Sequence, residues 1–328
     1  MKKYFKTAMA LLVASVIFTS CSNDDNSPTI PTGNQNIAEV AIATPDLTNL
    51  VAALQRANLV SALEANGNFT VLAPSNAAFD AFLTANGFDS VDDVPEAVLQ
   101  QVLLNHVIPS DTSPLSATIL VQSGAGYAST LADGPSAGSK ITTYFNTSEG
   151  VRFNGVSSVT TADIGASNGI IHIVDTVIPL PTVVTFATAD PNFSTLVTAL
   201  TELTPATDFV SILNTANGET PAPFTVFAPL NSAFDRLAAI PEEEALTPIL
   251  AHHVITGANV RAESINDGDI SSATFEGDTL TFNVSGNGAL SITDGSGQTA
   301  INVVLGNVQA SNGVIHALDT VMIPDTDN

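Results

Sequence analysis

The sequence predicts an α+β fold built twice over, and three observations carry that prediction. A-S-N-G-I-I-H-I-V-D-T-V-I-P over 166–179 recurs as A-S-N-G-V-I-H-A-L-D-T-V-M-I-P over 310–324, 144 residues later in a chain of 328, and each copy closes the half that precedes it. The early part of each half places apolar residues at helical spacing. The later part, 127–164 and 271–308, is dominated by Thr, Val, Gly and Ser with Gly-containing turns, the pattern of antiparallel strands and hairpins. Helices first and strands afterwards argue for α+β and against an alternating α/β arrangement. The expected plan is a signal peptide over 1–20, a polar tether over 21–36, one domain over 37–180, a second over 181–324, and a tail over 325–328.

Met1-Lys2-Lys3-Tyr4-Phe5-Lys6 is basic, and the apolar run 8–18 is about half the length that spans a bilayer as a helix, so the stretch reads as a signal peptide. It ends in Phe18-Thr19-Ser20-Cys21, which resembles the lipobox of bacterial lipoproteins. Cys21 is therefore expected to become the mature N-terminus, to carry palmitate-type acyl chains, and to anchor an outer-membrane lipoprotein at the cell surface. As the only cysteine, it leaves no disulfide within the monomer. Residues 22–36 are rich in Ser, Asn, Thr and Pro and cannot bury a core. Asp24 and Asp25 resemble the acidic signal that sends some lipoproteins to the surface.

Without Lys2, Lys3 and Lys6, 5 basic residues face 32 acidic ones, a formal charge of −27. Phosphate binding needs clustered Lys and Arg, so nucleic acid is excluded as a partner. Charged residues are only 12% of the chain and apolar ones 45%, which suits a globular protein with a Ser/Thr/Asn surface. Each half is long enough to bury a core.

In chain order, Leu50, Val51, Ala53 and Leu54 recur as Leu196, Val197, Ala199 and Leu200, the spacing of a helix with one buried stripe. F-T-V-L-A-P-S-N-A-A-F from Phe69 and F-T-V-F-A-P-L-N-S-A-F from Phe224 read as a buried strand ending at proline and opening a helix. Ser75 becomes Leu230 between copies, so Asn76 and Asn231 are the expected helix caps. The second copy carries an insertion at 217–223, read as a surface loop. Pro95 and Pro241 are placed in the first turn of a further helix, followed by acidic residues. Val98, Leu99, Val102, Leu103 and His106 share a face of it, matched by Leu246, Ile249, Leu250 and His253. The closing motif reads as a turn at Asn-Gly, which supplies positive φ, then a buried strand. On that strand Ile170, His172 and Val174 share one face, and Ile171, Ile173 and Asp175 the other. The Pro179-Leu180-Pro181 joint is short and stiff, so a fixed tandem is expected.

F-T-V-x-A-P-x-N-x-A-F, the helix ending at His106-Val107-Ile108 or His253-Val254-Ile255, and N-G-x-I-H-x-x-D-T-V together resemble two tandem fasciclin domains over about residues 36 to 324. The resemblance implies a β-wedge or sandwich flanked by helices in each half, extracellular adhesion or matrix contact, and no general catalytic activity. One departure is that Asn105-His106 and His252-His253 stand where the family usually has a Tyr-His pair.

Four of the five histidines recur between halves, His106 with His253 and His172 with His316. No third ligand stands at a recognisable zinc spacing, so they are read as neutral core histidines bonded to nearby groups, with no metal or cofactor implied. Asp175 and Asp319 recur as structural carboxylates near a sheet edge. No G-x-S-x-G elbow accompanies a base, and no catalytic residue is assigned. Asp267-Gly268-Asp269 lacks the remaining ligands of a calcium loop and reads as a solvated turn. Asp163-Ile164 resembles an Asp-Ile pair proposed to engage integrins in animal fasciclin-domain proteins, and is the one candidate for direct ligand contact; the second half has Asn307-Val308 there. The expected function is non-enzymatic adhesion to extracellular matrix, polysaccharide or a cell-surface protein. The alternative is a glycan-binding accessory protein for nutrient capture, which the absence of Trp and the presence of only three Tyr weaken.

Overall fold

The computed structural model describes residues 34–325; Cys21, Asp24, Asp25, the stretch expected to be a signal peptide and the last three residues lie outside them. Asn36 opens the first helix through a capping box: its Oδ1 accepts the Glu39 N–H at 2.9 Å and its own N–H donates to Glu39 Oε2 at 2.8 Å. The helices of the first half are α1 (Ile37–Ala43), α2 (Thr48–Arg56), α3 (Val60–Glu64), α4 (Asn76–Ala85), α5 (Glu96–Leu104) and α6 (Ala117–Ser123). Its strands are β1 (Phe69–Pro74), β2 (Val107–Pro109), β3 (Ala125–Asp133), β4 (Lys140–Asn146), β5 (Arg152–Phe153), β6 (Ser157–Ala166) and β7 (Gly169–Val174). The second half repeats the plan with α7 (Val183–Ala189), α8 (Ser194–Thr201), α9 (Phe209–Leu213), α10 (Asn231–Phe234) and α11 (Glu243–His252). Its strands are β8 (Phe224–Pro229), β9 (Val254–Thr256), β10 (Thr281–Val284), β11 (Leu290–Thr293), β12 (Ile301–Ala310) and β13 (Gly313–Leu318).

Both sheets share one core order, β2-β1-β7-β6 in the first and β9-β8-β13-β12 in the second. The closing strand is central in each and runs parallel to the F-T-V strand, Phe69 opposite Gly169 and Phe224 opposite Gly313. That position covers the strand on both faces, which is why its sequence is a nearly unbroken apolar run. Asp175 and Asp319 consequently lie just past the end of a central strand, not at a lateral edge. The hairpin into that strand also differs from the sequence reading. Ala166 pairs with Gly169 and Ala310 with Gly313, so the two-residue loops are Ser167-Asn168 and Ser311-Asn312, and the glycine is already in the strand.

Helices pack on one face of each sheet and the curled remainder of the strands covers the other. In the first half Leu50, Leu54, Val71, Leu99, Leu103 and Ile171 join in the helical core, while Leu72, Ile108, Phe145, Phe153 and Val174 fill the wedge. Val98 is 47% exposed despite its place in the apolar run, because Leu99, Val102 and Leu103 complete the stripe and Val98 sits off it. Pro95 precedes α5 as its cap residue and Pro241 stands two residues before α11, so neither occupies the first turn.

The two halves share packing. Tyr144 of β4 is a member of the second half's core, and Tyr127 contacts Tyr144 at 5.0 Å and Phe186 edge-on at 5.8 Å between ring centroids. Tyr127 Oη donates to Asp190 Oδ2 at 2.7 Å, and burial together with that carboxylate pushes the phenol well above its ordinary range. Gln309 N–H donates to Thr142 Oγ1 at 3.0 Å and Asn259 Nδ2 to Ser136 Oγ at 2.8 Å. Side chains as well as the proline joint fix the tandem.

Candidate functional site

The recurrent polar residues converge on the strand pairs at the centre of each half. His106 follows α5; its Nδ1 donates to Val102 O at 2.7 Å and its Nε2 accepts the Ile178 N–H at 2.9 Å. His253 repeats this with Ile249 O at 2.7 Å and Met322 N–H at 2.9 Å. Burial lowers His106 to about 4, and burial with His252 alongside lowers His253 to about 3. His172 and His316 carry the opposite tautomer. Their Nε2 atoms donate to Leu115 O and Val260 O, both at 2.9 Å, and their Nδ1 atoms accept the N–H groups of Asp163 at 3.2 Å and Asn307 at 3.4 Å. Each ring therefore braces two backbone segments, and an acid–base role would require breaking one of the two bonds.

Asp163 and Asn307 occupy the same place despite their different chemistry. Both adopt a left-handed conformation, φ 60° and 62°, at the bulge where the long strand slips register against the closing strand. Asp163 Oδ1 accepts the Ala117 N–H at the start of α6, and Asn307 Oδ1 accepts the Ala262 N–H, each at 2.9 Å. Ile164 packs half-buried against the helical core. The Asp-Ile pair is thus engaged by the fold through both members. Asp163→Asn is expected to leave the melting temperature within about 2 °C, because Asn does the same work at 307. Asp163→Ala should cost about 1–2 kcal/mol through the lost cap and the φ penalty, measured by urea unfolding.

Asn76 and Asn231 do not cap their own helices. Ser75 caps α4, accepting the Ala78 N–H, and in the second half Leu230 offers no cap, where α10 has 4 residues against 10 in α4. Asn76 instead reaches back: Oδ1 accepts the Asn49 N–H in the first turn of α2 at 2.9 Å, and Nδ2 donates to Pro45 O at 3.0 Å. Asn231 does the same for Thr195 N–H and Pro191 O, at 2.9 Å each. The asparagine of the closing motif, to which sequence reasoning gave no role beyond its turn, is a further staple. Asn168 Oδ1 accepts the Ile37 N–H at 2.9 Å while Nδ2 donates to Leu63 O and Ala65 O; Asn312 repeats all three bonds with Val183, Leu213 and Thr215. Its exact recurrence just before the apolar run was the available signal.

Asp175 Oδ1 accepts the Ser158 N–H at 2.8 Å, and Asp319 accepts from Asn302 N and Nδ2, both at 2.9 Å. Partial burial pushes the Asp319 carboxyl up, but the Asn302 bonds, Thr320 and Arg236 outweigh it and hold the group below the usual carboxylate range. In the acidic turn, Asp269 Oδ2 accepts the Asn266 N–H and Asp267 Oδ1 the Val284 N–H.

At the departure from the Tyr-His pair the halves diverge. Asn105 Nδ2 donates to Ile178 O and Pro179 O at the start of the joint. His252, Glu276 and Asp278 bring one possible ligand atom each within 4.8 Å of one another. His252 Nε2 accepts the Gly295 N–H at 3.2 Å, which places the ring proton on Nδ1, facing Glu276 Oε2 at 3.4 Å. A metal on Nδ1 would drive that proton to Nε2, against the Gly295 N–H, so the arrangement favours a hydrogen bond over a ligand set.

A family model described as "Fasciclin domain" matches residues 45–181 and again 191–324. An uncharacterized protein of Synechocystis is 31% identical over 150 residues, 44% of this chain and 98% of that protein. Transforming growth factor-beta-induced protein ig-h3 of Sus scrofa is 29% identical over 280 residues, 80% of this chain but 36% of that protein. Cell surface glycolipoprotein MPB83 of Mycobacterium bovis is 34% identical over 149 residues, 43% of this chain and 60% of that protein. A solved FAS1 domain pair from the insect cell adhesion molecule Fasciclin I is 22% identical, with a TM-score of 0.48, covering 85% of this chain and 94% of that one.

Proposed function

The chain belongs to the fasciclin-domain family, and from that premise we propose that it is a non-enzymatic surface protein mediating adhesion to cells or matrix polymers, held to the outer membrane by lipid on Cys21. One observation carries the non-enzymatic part. The recurrent histidines and asparagines spend their polar atoms on bracing the fold, as His106 does between Val102 and Ile178, and so are committed to structure rather than to a substrate. The name of one relative, a cell surface glycolipoprotein, supports the surface part. A fixed pair of similar domains presents two related surfaces at a set spacing, so weak contacts add when the partner is repetitive. A formal charge of −27 favours neutral or cationic partners and repels acidic ones at low salt.

Cells producing the full chain are expected to incorporate labelled palmitate into it and to adhere to immobilised matrix polymers. Cys21→Ala should lose the label, pass into the medium and abolish adhesion. Equal labelling of both chains would sink the anchor, and adhesion unchanged by deleting the whole protein would sink the adhesive role. Saturable binding on a glycan array without cell adhesion would move the function to nutrient capture.

A further inference from the structure

The helical side of the second half holds a cavity that no role described above uses. It lies between α7, α8, α9 and the β8–β13 pair, has a volume of about 160 Å³, and opens to solvent past the exposed Thr188 and Thr201. Val226, Ala228 and Ile315 form its floor, and Phe193, Leu196 and Leu213 its walls. The two rim hydroxyls are spent on their own helices, Thr188 Oγ1 on Val184 O at 3.0 Å and Thr201 Oγ1 on Val197 O at 2.8 Å. A water inside would find no partners, and an apolar cavity of about 150 Å³ stays dry and takes up benzene-sized molecules. The walls are held before any ligand arrives, because Asn312 ties the start of α7 at Val183 to the end of α9 at Leu213. That is the condition for a preformed site rather than a loose core.

We propose that this cavity binds the apolar end of an uncharged amphiphile, about six carbons of an alkyl chain, with the polar end left in water at the mouth. The open side admits a chain longer than the cavity, and the charges around it choose the head group. The only cations of the second half are Arg236 and Arg261, and neither lines the cavity. Glu202 follows Thr201 on the rim, and Asp208 stands two residues before the lining Val210. A carboxylate head there would meet like charge and no partner, whereas a hydroxyl would meet water.

The test is a titration of the full mature chain, methyl-labelled at Ile, Leu and Val, with 1-hexanol, followed by NMR. Saturable shifts are expected at the methyls of Leu196, Leu213 and Ile315, and hexanoate at pH 7 should bind at least tenfold more weakly. Ala187→Leu, half-buried on α7 and lining the cavity, should weaken hexanol binding at least tenfold while the melting temperature holds. Val183→Ile, which installs the residue of the first half's Ile37, serves if that variant does not fold. Absence of saturable shifts, or unchanged affinity in a folded cavity-filling variant, would overturn the site. Hexanoate binding as tightly as hexanol would overturn the uncharged head group. None of these results depends on whether the chain adheres.

Discussion

Lowering the pH from 7 to 4 is expected to remove roughly 6 kcal/mol of stability through two buried histidines alone. His106 and His253 take up a proton near pH 6.5 when unfolded, but burial holds them to about 4 and about 3 when folded. Between those values the unfolded chain binds more protons than the folded one, so stability is fully present above pH 6.5 and falls as the pH falls. Each ring contributes about 1.4 kcal/mol per pH unit, or roughly 3 kcal/mol by pH 4. Burial lowers His316 as well, which adds in the same direction. Whole domains are commonly stable by only about 5–15 kcal/mol, so this term decides whether the fold survives acid. Urea unfolding of wild type, His106→Gln and His253→Gln from pH 7 to pH 4 checks it. Each variant should start less stable at pH 7 and lose stability less steeply. Parallel pH profiles for variants and wild type would show that the rings do not carry the dependence.

Gly169→Ala and Gly313→Ala should each cost about 3 kcal/mol or more, because the new atom meets backbone that cannot yield. A Cβ on Gly169 would stand 2.1 Å from Phe69 O, and one on Gly313 2.4 Å from Phe224 O. Those carbonyls belong to the first pair of the parallel β1–β7 and β8–β13 ladders, so relief requires opening the centre of the sheet. Gly165→Ala in β6 is the control, with nothing within 4 Å of its Cβ, and should stay within about 0.5 kcal/mol. Thermal melts distinguish them. A closing-strand variant that melts with the control would mean that the strand is not held at this register.

The same positions show what the sequence could and could not reveal. Repetition exposed the two halves, the buried F-T-V strand and the paired histidines, because each is a local pattern present twice. It did not reveal that β7 lies parallel to β1, since no local pattern encodes a partner about 100 residues away in the chain. Asn76 looked like the cap of the helix it begins, yet its side chain serves α2, which the chain reaches 27 residues earlier. Asn-Gly looked like a turn needing positive φ, whereas the glycine is required by the closeness of β1. Glu276 and Asp278 beside His252 were not foreseen for a different reason: this grouping has no counterpart in the first half, so comparing halves could not flag it.

The staple at Asn168 also determines where a mechanical load would enter the molecule. Chain preceding the first helix is gripped at two points on the β6–β7 hairpin, Gln35 O by the Ser167 N–H at 2.8 Å and the Ile37 N–H by Asn168 Oδ1 at 2.9 Å. A pull applied through the N-terminal segment is delivered at that hairpin, directly to the start of the central strand, without first unravelling α1 through α5. Tension on that segment therefore bears on an interior ladder of the first sheet, and the helical layer of the first half is left slack.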